Sequence, residues 1–181
     1  MQRLSKMSQA SKHVEWCLRK AEKEIEDCKK DGKRPKHRGL LKINPNVEEA
    51  KEHVKKAEHN LDAALNFVKT GFSDWSASAF FYSMYHCFLA IAAKFGYESS
   101  NQTCTIALIE YLKEEGKINI DEEFIEMFKY KENETEKEES AIEIREDYTY
   151  SAKISVNKEK INDLTQKCRN LIDTTRKIVF D

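Results

Sequence analysis

Apolar residues recur every three to four positions along most of the chain, and nowhere alternate over a sustained run. That is the helical period, and the absence of alternation predicts no strands. Residues 8–30 carry Val14, Leu18, Ala21 and Ile25 on one side, with Trp16 and Cys17 nearby. So thin a stripe on a polar helix predicts weak docking, or docking only on a partner. The basic, turn-rich segment KKDGKRPKHRGLLKINPN follows, with Pro35 and Pro45 in it. Asn46, with Glu49 three residues on, predicts the start of a helix. Its stripe is Val47, Ala50, Val54, Ala57, Leu61, Ala64, Leu65 and Val68, and Gly71 is its stop.

The segment FSDWSASAFFYSMYHCFLAIAAKFG, Phe72 to Gly96, predicts a helix buried on two faces, with Ser73 as its cap. Phe80, Phe81, Met84, Phe88, Ile91 and Phe95 form the large stripe. Ala79, Ser83, Cys87 or His86, Ala90 and Ala93 form a small one, which lets a neighbouring helix approach closely. A helix apolar nearly all round belongs at the centre of a bundle. A third helix is predicted over 103–115 with Ile106, Ile109 and Leu112 inward, and a fourth over 122–130 capped by Asp121. Residues 131–139, KENETEKEE, read as a loop or a frayed helix end. Residues 140–146 read as helix, loosening through Tyr148-Thr-Tyr-Ser. Asn157 caps the last helix, whose stripe is Ile161, Leu164, Cys168, Leu171, Thr175 and Ile178. The expected fold is all-α, an up-down antiparallel helical bundle over 46–181, preceded by an extra N-terminal helix and basic linker over 1–45.

A length of 181 residues fits one domain with an appended arm. With 40% hydrophobic and 35% charged residues, the composition is that of a soluble protein with much solvated helix surface. No run of about 18 apolar residues predicts a membrane span. The start, MQRLSKMSQASKHVEW, lacks the apolar core of a secretory signal, so a cytoplasmic location is expected. The five cysteines (17, 28, 87, 104 and 168) are scattered and form no close pair, so all are expected to be free thiols and none a metal ligand. Charge is uneven: residues 1–46 carry a net +7 and residues 110–150 a net −9. A basic arm and an acidic segment point either to self-association or nucleic-acid contact, or simply to solvated surface.

No glycine-rich phosphate loop, dinucleotide fingerprint or His-x-x-x-His pair occurs, so neither a cofactor nor a metal site is expected. His53 and His59 sit six apart, on different faces of one helix. No serine–histidine–acid triad shows locally, although triads assemble in space. What remains is Arg145-Glu-Asp-Tyr-Thr-Tyr150 and the polar handles of the central helix. A guanidinium fork suits phosphate, and Asp147 and Tyr148 stand beside it; a salt bridge to one of the many nearby glutamates is the competing role. His86 is either a hydrogen-bonded core residue or a proton-transfer group. Tyr82, Tyr85, Tyr148 and Tyr150 are either base-stacking rings or amphipathic packing.

From about residue 46 to 179 the chain resembles the HEPN domain family, most of all its stand-alone prokaryotic members. The resemblance rests on AEHNLDAALNFVKTGFSDWSASAFFYSMYHCFLAIAAKFG, on ALIEYL, and on EIREDYTYSAK before the last helix, together with the aromatic central helix that follows the GFSDW turn. It implies a helical bundle that dimerises through its central and late helices. Many such proteins are metal-independent RNases, in which an Arg-x4-6-His motif from each subunit meets across the dimer cleft. Others pair with a nucleotidyltransferase in toxin–antitoxin modules. Here the arginine is Arg145, while position 150 holds tyrosine, a poor base at neutral pH. The expectation is therefore a homodimer that binds RNA or nucleotide with a degenerate RNase motif. Arg145 contacts phosphate, Tyr148, Tyr150 and Tyr82 stack or hydrogen-bond, and Lys36 and Arg38 of the linker add attraction. Two alternatives stay open. One is an active endoribonuclease with His86 as displaced imidazole; the other is a non-catalytic partner of a nucleotidyltransferase, with Tyr150 as a modification target.

Overall fold

The apolar stripes become helices, and the computed structural model describes them over residues 8–130 and 139–181. In chain order the elements are α1 (Gln9–Lys30), β1 (Leu40–Lys42), α2 (Val47–Lys69), α3 (Ser73–Lys94), β2 (Tyr97–Ser99), α4 (Gln102–Glu114), α5 (Glu122–Glu126), α6 (Ala141–Tyr150) and α7 (Lys158–Phe180). Residues 131–138, expected to be loop or frayed helix, lie outside the described residues.

α2 starts where its capping signal puts it. The Asn46 side-chain oxygen accepts from the Glu49 N–H at 3.0 Å, and its amide donates to the Glu49 carboxylate at 3.0 Å. α3 lies alongside α2 and antiparallel to it. Ser83 donates to the Ala57 carbonyl at 2.8 Å, while His86 meets His53 one turn earlier on α2, so the two helices run past each other in opposite directions. The small residues Ala57, Ser83, Cys87 and Ala90 are all buried, which is what permits this close approach; Ala79 is half-buried. The large stripe Phe80, Phe81, Met84, Phe88 and Ile91 is buried too, each side chain contributing about 1.5–3 kcal/mol. α7, capped by Asn157, covers α3 with Leu164, Cys168, Leu171 and Thr175. Among the described residues α3 is the one helix long and apolar enough to span a membrane, and most of it is buried inside the bundle.

The fold is thus the expected all-α bundle, with several local departures. Two three-residue strands pair antiparallel, with Leu40 opposite Ser99 and Lys42 opposite Tyr97. Strands that short cannot display alternation, and their pairing partners lie far apart in sequence. The ribbon needs Gly96, whose φ is +79° and where a Cβ would sit 2.7 Å from the Ile43 carbonyl oxygen. Ser73 does not cap α3; its hydroxyl instead accepts from the Val156 N–H at 3.0 Å, tying the entry of α7 to the start of α3. α5 covers five residues rather than nine, and Asp121 makes no side-chain cap. α6 does not loosen after 146 but runs to Tyr150, opened by a Ser140–Glu143 capping box and held late by a Ser78–Thr149 hydroxyl contact of 3.3 Å with α3.

The largest correction concerns the cysteines. Cys17 and Cys104, expected to be free, form a disulfide between α1 and α4, with Cα atoms 5.8 Å apart and 87 residues between them in sequence. Cys28, Cys87 and Cys168 are free. Nor is α1 weakly docked: its thin stripe packs on α4, with Val14 and Cys17 in the same apolar core as α3 and α7. Gly39 makes this possible, since a Cβ there would lie 2.4 Å from the Cys17 carbonyl oxygen.

Candidate functional site on the α3–α6 face

α6 crosses α3 in the antiparallel sense. Phe81 meets Arg145, and one turn away Ser78 meets Thr149. Arg145 lies with its guanidinium carbon 4.6 Å from the centroid of the Phe81 ring, and its side chain is 22% exposed. Phe81 packs against Phe128, with ring centroids 5.1 Å apart, and edge-on against Tyr82 at 5.2 Å. A ring so fixed is a platform that orients the cation and takes up its charge by a cation–π contact. One Arg145 nitrogen donates to Glu146 at 3.0 Å, and the same carboxylate oxygen accepts from the Tyr130 hydroxyl at 2.8 Å. That hydrogen bond holds the Tyr130 proton more tightly than usual.

One turn along α6 a shallow cavity of about 210 Å³ opens between the start of α3 and the end of α6, lined by Asp74, Trp75, Ser78, Tyr148, Lys153 and Ile154 among others. Trp75 and Ile154 are exposed at its rim. The Lys153 ammonium lies 5.8 Å from the Tyr148 ring and pairs with Asp147 at 2.5 Å, which raises its affinity for its proton. The Lys160 ammonium approaches the same ring to 6.0 Å. Arginine, lysine and aromatic side chains thus share one surface, each cation paired with a carboxylate, Arg145 with Glu146, Lys153 with Asp147 and Lys160 with Glu139; a phosphodiester that displaces these carboxylates would find cations and rings to stack on.

A HEPN domain model matches residues 50–178. The chain belongs to the HEPN domain family. No curated protein matches it. The HEPN match leaves out α1 and the linker, yet both are built into the bundle's core through Val14, Cys17 and Leu40.

Not every residue singled out from the sequence reaches this HEPN surface. Arg145, Asp147, Tyr148 and Tyr82 do. Tyr150, on the last turn of α6, points to solvent at 82% exposure. His86 does not meet Arg145 within the chain; it faces α2, with its Nδ1 2.9 Å from the Nδ1 of His53. Burial, then the neighbouring His53 and Lys56, push its pKa down to about 4. Lys36 and Arg38 are exposed on the linker, which is held by Glu24, Cys28, Glu98 and Ser100 rather than by α6. The residues missed by sequence reasoning are Phe81, Glu146, Tyr130, Trp75 and Lys153. Phe81 read as core, and it is core, with one face doing double duty under Arg145.

Two other constellations resolve into braces. Ser100, His37 and Glu98 stand in line, with the Ser100 oxygen 3.1 Å from His37 Nδ1 and His37 Nε2 3.2 Å from Glu98. The serine proton, however, goes to the His37 carbonyl at 2.7 Å, so the trio fastens the linker to β2. Glu110, Glu122 and Glu126 converge as a cation site would, but Lys129 pairs with Glu110 and Glu126 and Lys113 with Glu122.

Proposed function

We propose that this HEPN protein binds RNA or a nucleotide on the α3–α6 face as a homodimer, with a degenerate RNase motif that leaves it little or no hydrolytic activity of its own, in a toxin–antitoxin, defence or RNA-processing setting. The observation that carries this is Arg145, its guanidinium carbon 4.6 Å from the Phe81 ring centroid, on the same α3–α6 face as a cavity lined by Trp75, Tyr148 and Lys153, and met by Glu146 rather than by an imidazole. A phosphate competes with Glu146 for the fork, and Tyr148 and Trp75 offer faces for a base. The dimer is favoured by the exposed run Phe72, Trp75, Tyr82, Tyr150 and Ile154, which one chain leaves uncovered.

The test is cleavage and retention of end-labelled single-stranded and hairpin RNA in EDTA, wild type against Arg145→Ala. Expected are no cleavage, and binding that falls steeply with salt and at least tenfold in the variant. Cleavage by the wild type that is lost in Arg145→Ala overturns this reading in favour of an active ribonuclease. Salt-independent binding, or none, removes the RNA reading altogether.

A second reading rests on the exposure of Tyr150. Its hydroxyl is freely presented at a helix end, as an acceptor for a partner nucleotidyltransferase would be. Intact-mass analysis of the protein from its native cell tests this: a nucleotide-sized adduct mapped to Tyr150 supports it, and an unmodified peptide counts against it.

A further inference from the structure

The pair His53–His86 lies outside the Arg145 surface and the proposed function does not use it. One imidazole comes from α2 and the other from α3, on helices whose spacing is set by the buried seam of Ala50, Ala57, Ser83 and Ala90. The two Nδ1 atoms face each other at 2.9 Å, with ring centroids 5.1 Å apart and planes tilted by 32°. At that separation one Nδ1–H donates to the other ring's lone pair.

We propose that His53 and His86 form a binding site for a borderline transition-metal dication such as Zn2+, clamping α2 to α3. Two imidazoles on one tetrahedral ion, each bound at about 2.0–2.1 Å, hold their nitrogens roughly 3.3 Å apart. A few tenths of an ångström of opening therefore turns the hydrogen bond into a chelate, with the donating ring's Nδ1 proton passing through solvent to its own Nε2 so that both rings stay neutral and bind through Nδ1. Imidazole nitrogen is a preferred donor for Zn2+, Ni2+ and Cu2+. Both rings are half-buried, so the ion has solvent access on one side and water completes its shell. Burial disfavours protonation of both rings, so protons compete little for the site at neutral pH. The charged groups that act on the pair are Glu49, one turn before His53 on the same face of α2, and Lys56, which acts on His86. Glu49, whose carboxylate is held by the Asn46 amide, adds negative charge near the site, and Lys56 opposes the cation. The lack of a His-x-x-x-His pair excludes such a site only within one helix; here the two donors are 33 residues apart.

The experiment is a Zn2+ titration of the full chain by calorimetry and thermal melting, with the imidazole signals followed by NMR. Expected are one ion per chain, a raised Tm, and selective movement of two of the five histidine rings. Expected too is affinity at least tenfold weaker in His86→Gln and in His53→Gln, while His59→Gln binds as wild type. The NMR arm uses the wild-type protein, so it decides the matter even if a variant folds poorly. Unchanged affinity in both variants, movement of His13, His37 or His59 instead, or no binding by the wild type would each overturn the site.

Discussion

Reducing the Cys17–Cys104 bond should cost this protein a large part of its stability. Both cysteines are fully buried, and the closed loop spans 87 residues. In the chain-entropy picture a cross-link over a loop of that length restricts the unfolded ensemble by about 4–5 kcal/mol, near the upper end of what native disulfides contribute. Reduction leaves every packing atom in place, so it isolates this contribution, whereas Cys→Ala variants would add cavities. For a chain of this size 1 kcal/mol corresponds to about 2–4 °C in Tm, so the expected drop is of order 10 °C. Urea unfolding of the oxidised and reduced protein should show a lower midpoint and a steeper dependence on denaturant after reduction, because the released chain exposes more surface. Thiol counting in denaturant provides the control: the oxidised chain should titrate three thiols, Cys28, Cys87 and Cys168, and the reduced chain five. Five thiols without reductant would remove the bond itself. Three thiols with a midpoint shift worth under about 1 kcal/mol would refute the entropic reasoning and place the stability of α1 in its packing on α4 alone. The same pair gives the expected cytoplasmic location a concrete check, since a reducing compartment keeps such thiols apart.

Three further outcomes are expected. Because the folded-state pKa values of His86 (about 4) and His53 lie below the usual imidazole value, the unfolded chain binds more protons. Stability is then complete above about pH 6.5 and falls as pH drops toward 4; a His86→Gln variant whose stability falls as steeply over that window would refute it. Gly96→Ala combines a left-handed backbone with a Cβ 2.7 Å from the Ile43 carbonyl oxygen, and should cost about 2 kcal/mol or more in urea unfolding; a change within 0.5 kcal/mol in either direction, roughly the size of a neutral surface substitution, would show the ribbon to be loosely held. Phe81→Leu keeps an apolar core residue but removes the ring beneath Arg145, at a cost in stability of about 1–3 kcal/mol from the lost volume; RNA retention measured where both proteins are folded should fall, and equal retention would mean that Phe81 does not orient the arginine.

The bundle was legible because each long helix repeats its information: eight apolar positions vote for the face of α2, and no single error alters the result. The parts that were not legible are those whose evidence is long-range. Cys17 finds Cys104 only because α1 docks on α4, and β1 finds β2 only because α2 and α3 return the chain beside it. His86 reads from the sequence as a polar handle of the central helix, but its partner His53 lies 33 residues away on α2, a distance that no local spacing reveals. Arg145 was legible by its chemistry and Phe81 by its burial, while their meeting was not.

The same geometry bears on the missing histidine. Positions 145 and 150 are five apart on a continuous α6, hence about 140° apart around its axis. Arg145 turns inward onto Phe81, whereas Tyr150 turns out to solvent. A histidine at 150 would not stand beside its own chain's Arg145, and a proton-transfer pair at that spacing needs the arginine of one chain and position 150 of another. Tyr150→His is therefore expected to add no cleavage to a monomeric form. Any activity it confers should fall with dilution through the dimer's dissociation range and should be abolished by Trp75→Glu if the exposed Trp75 face is the interface. Cleavage that stays proportional to protein concentration through that range would mean that α6 bends or unwinds near 150, and that one chain suffices.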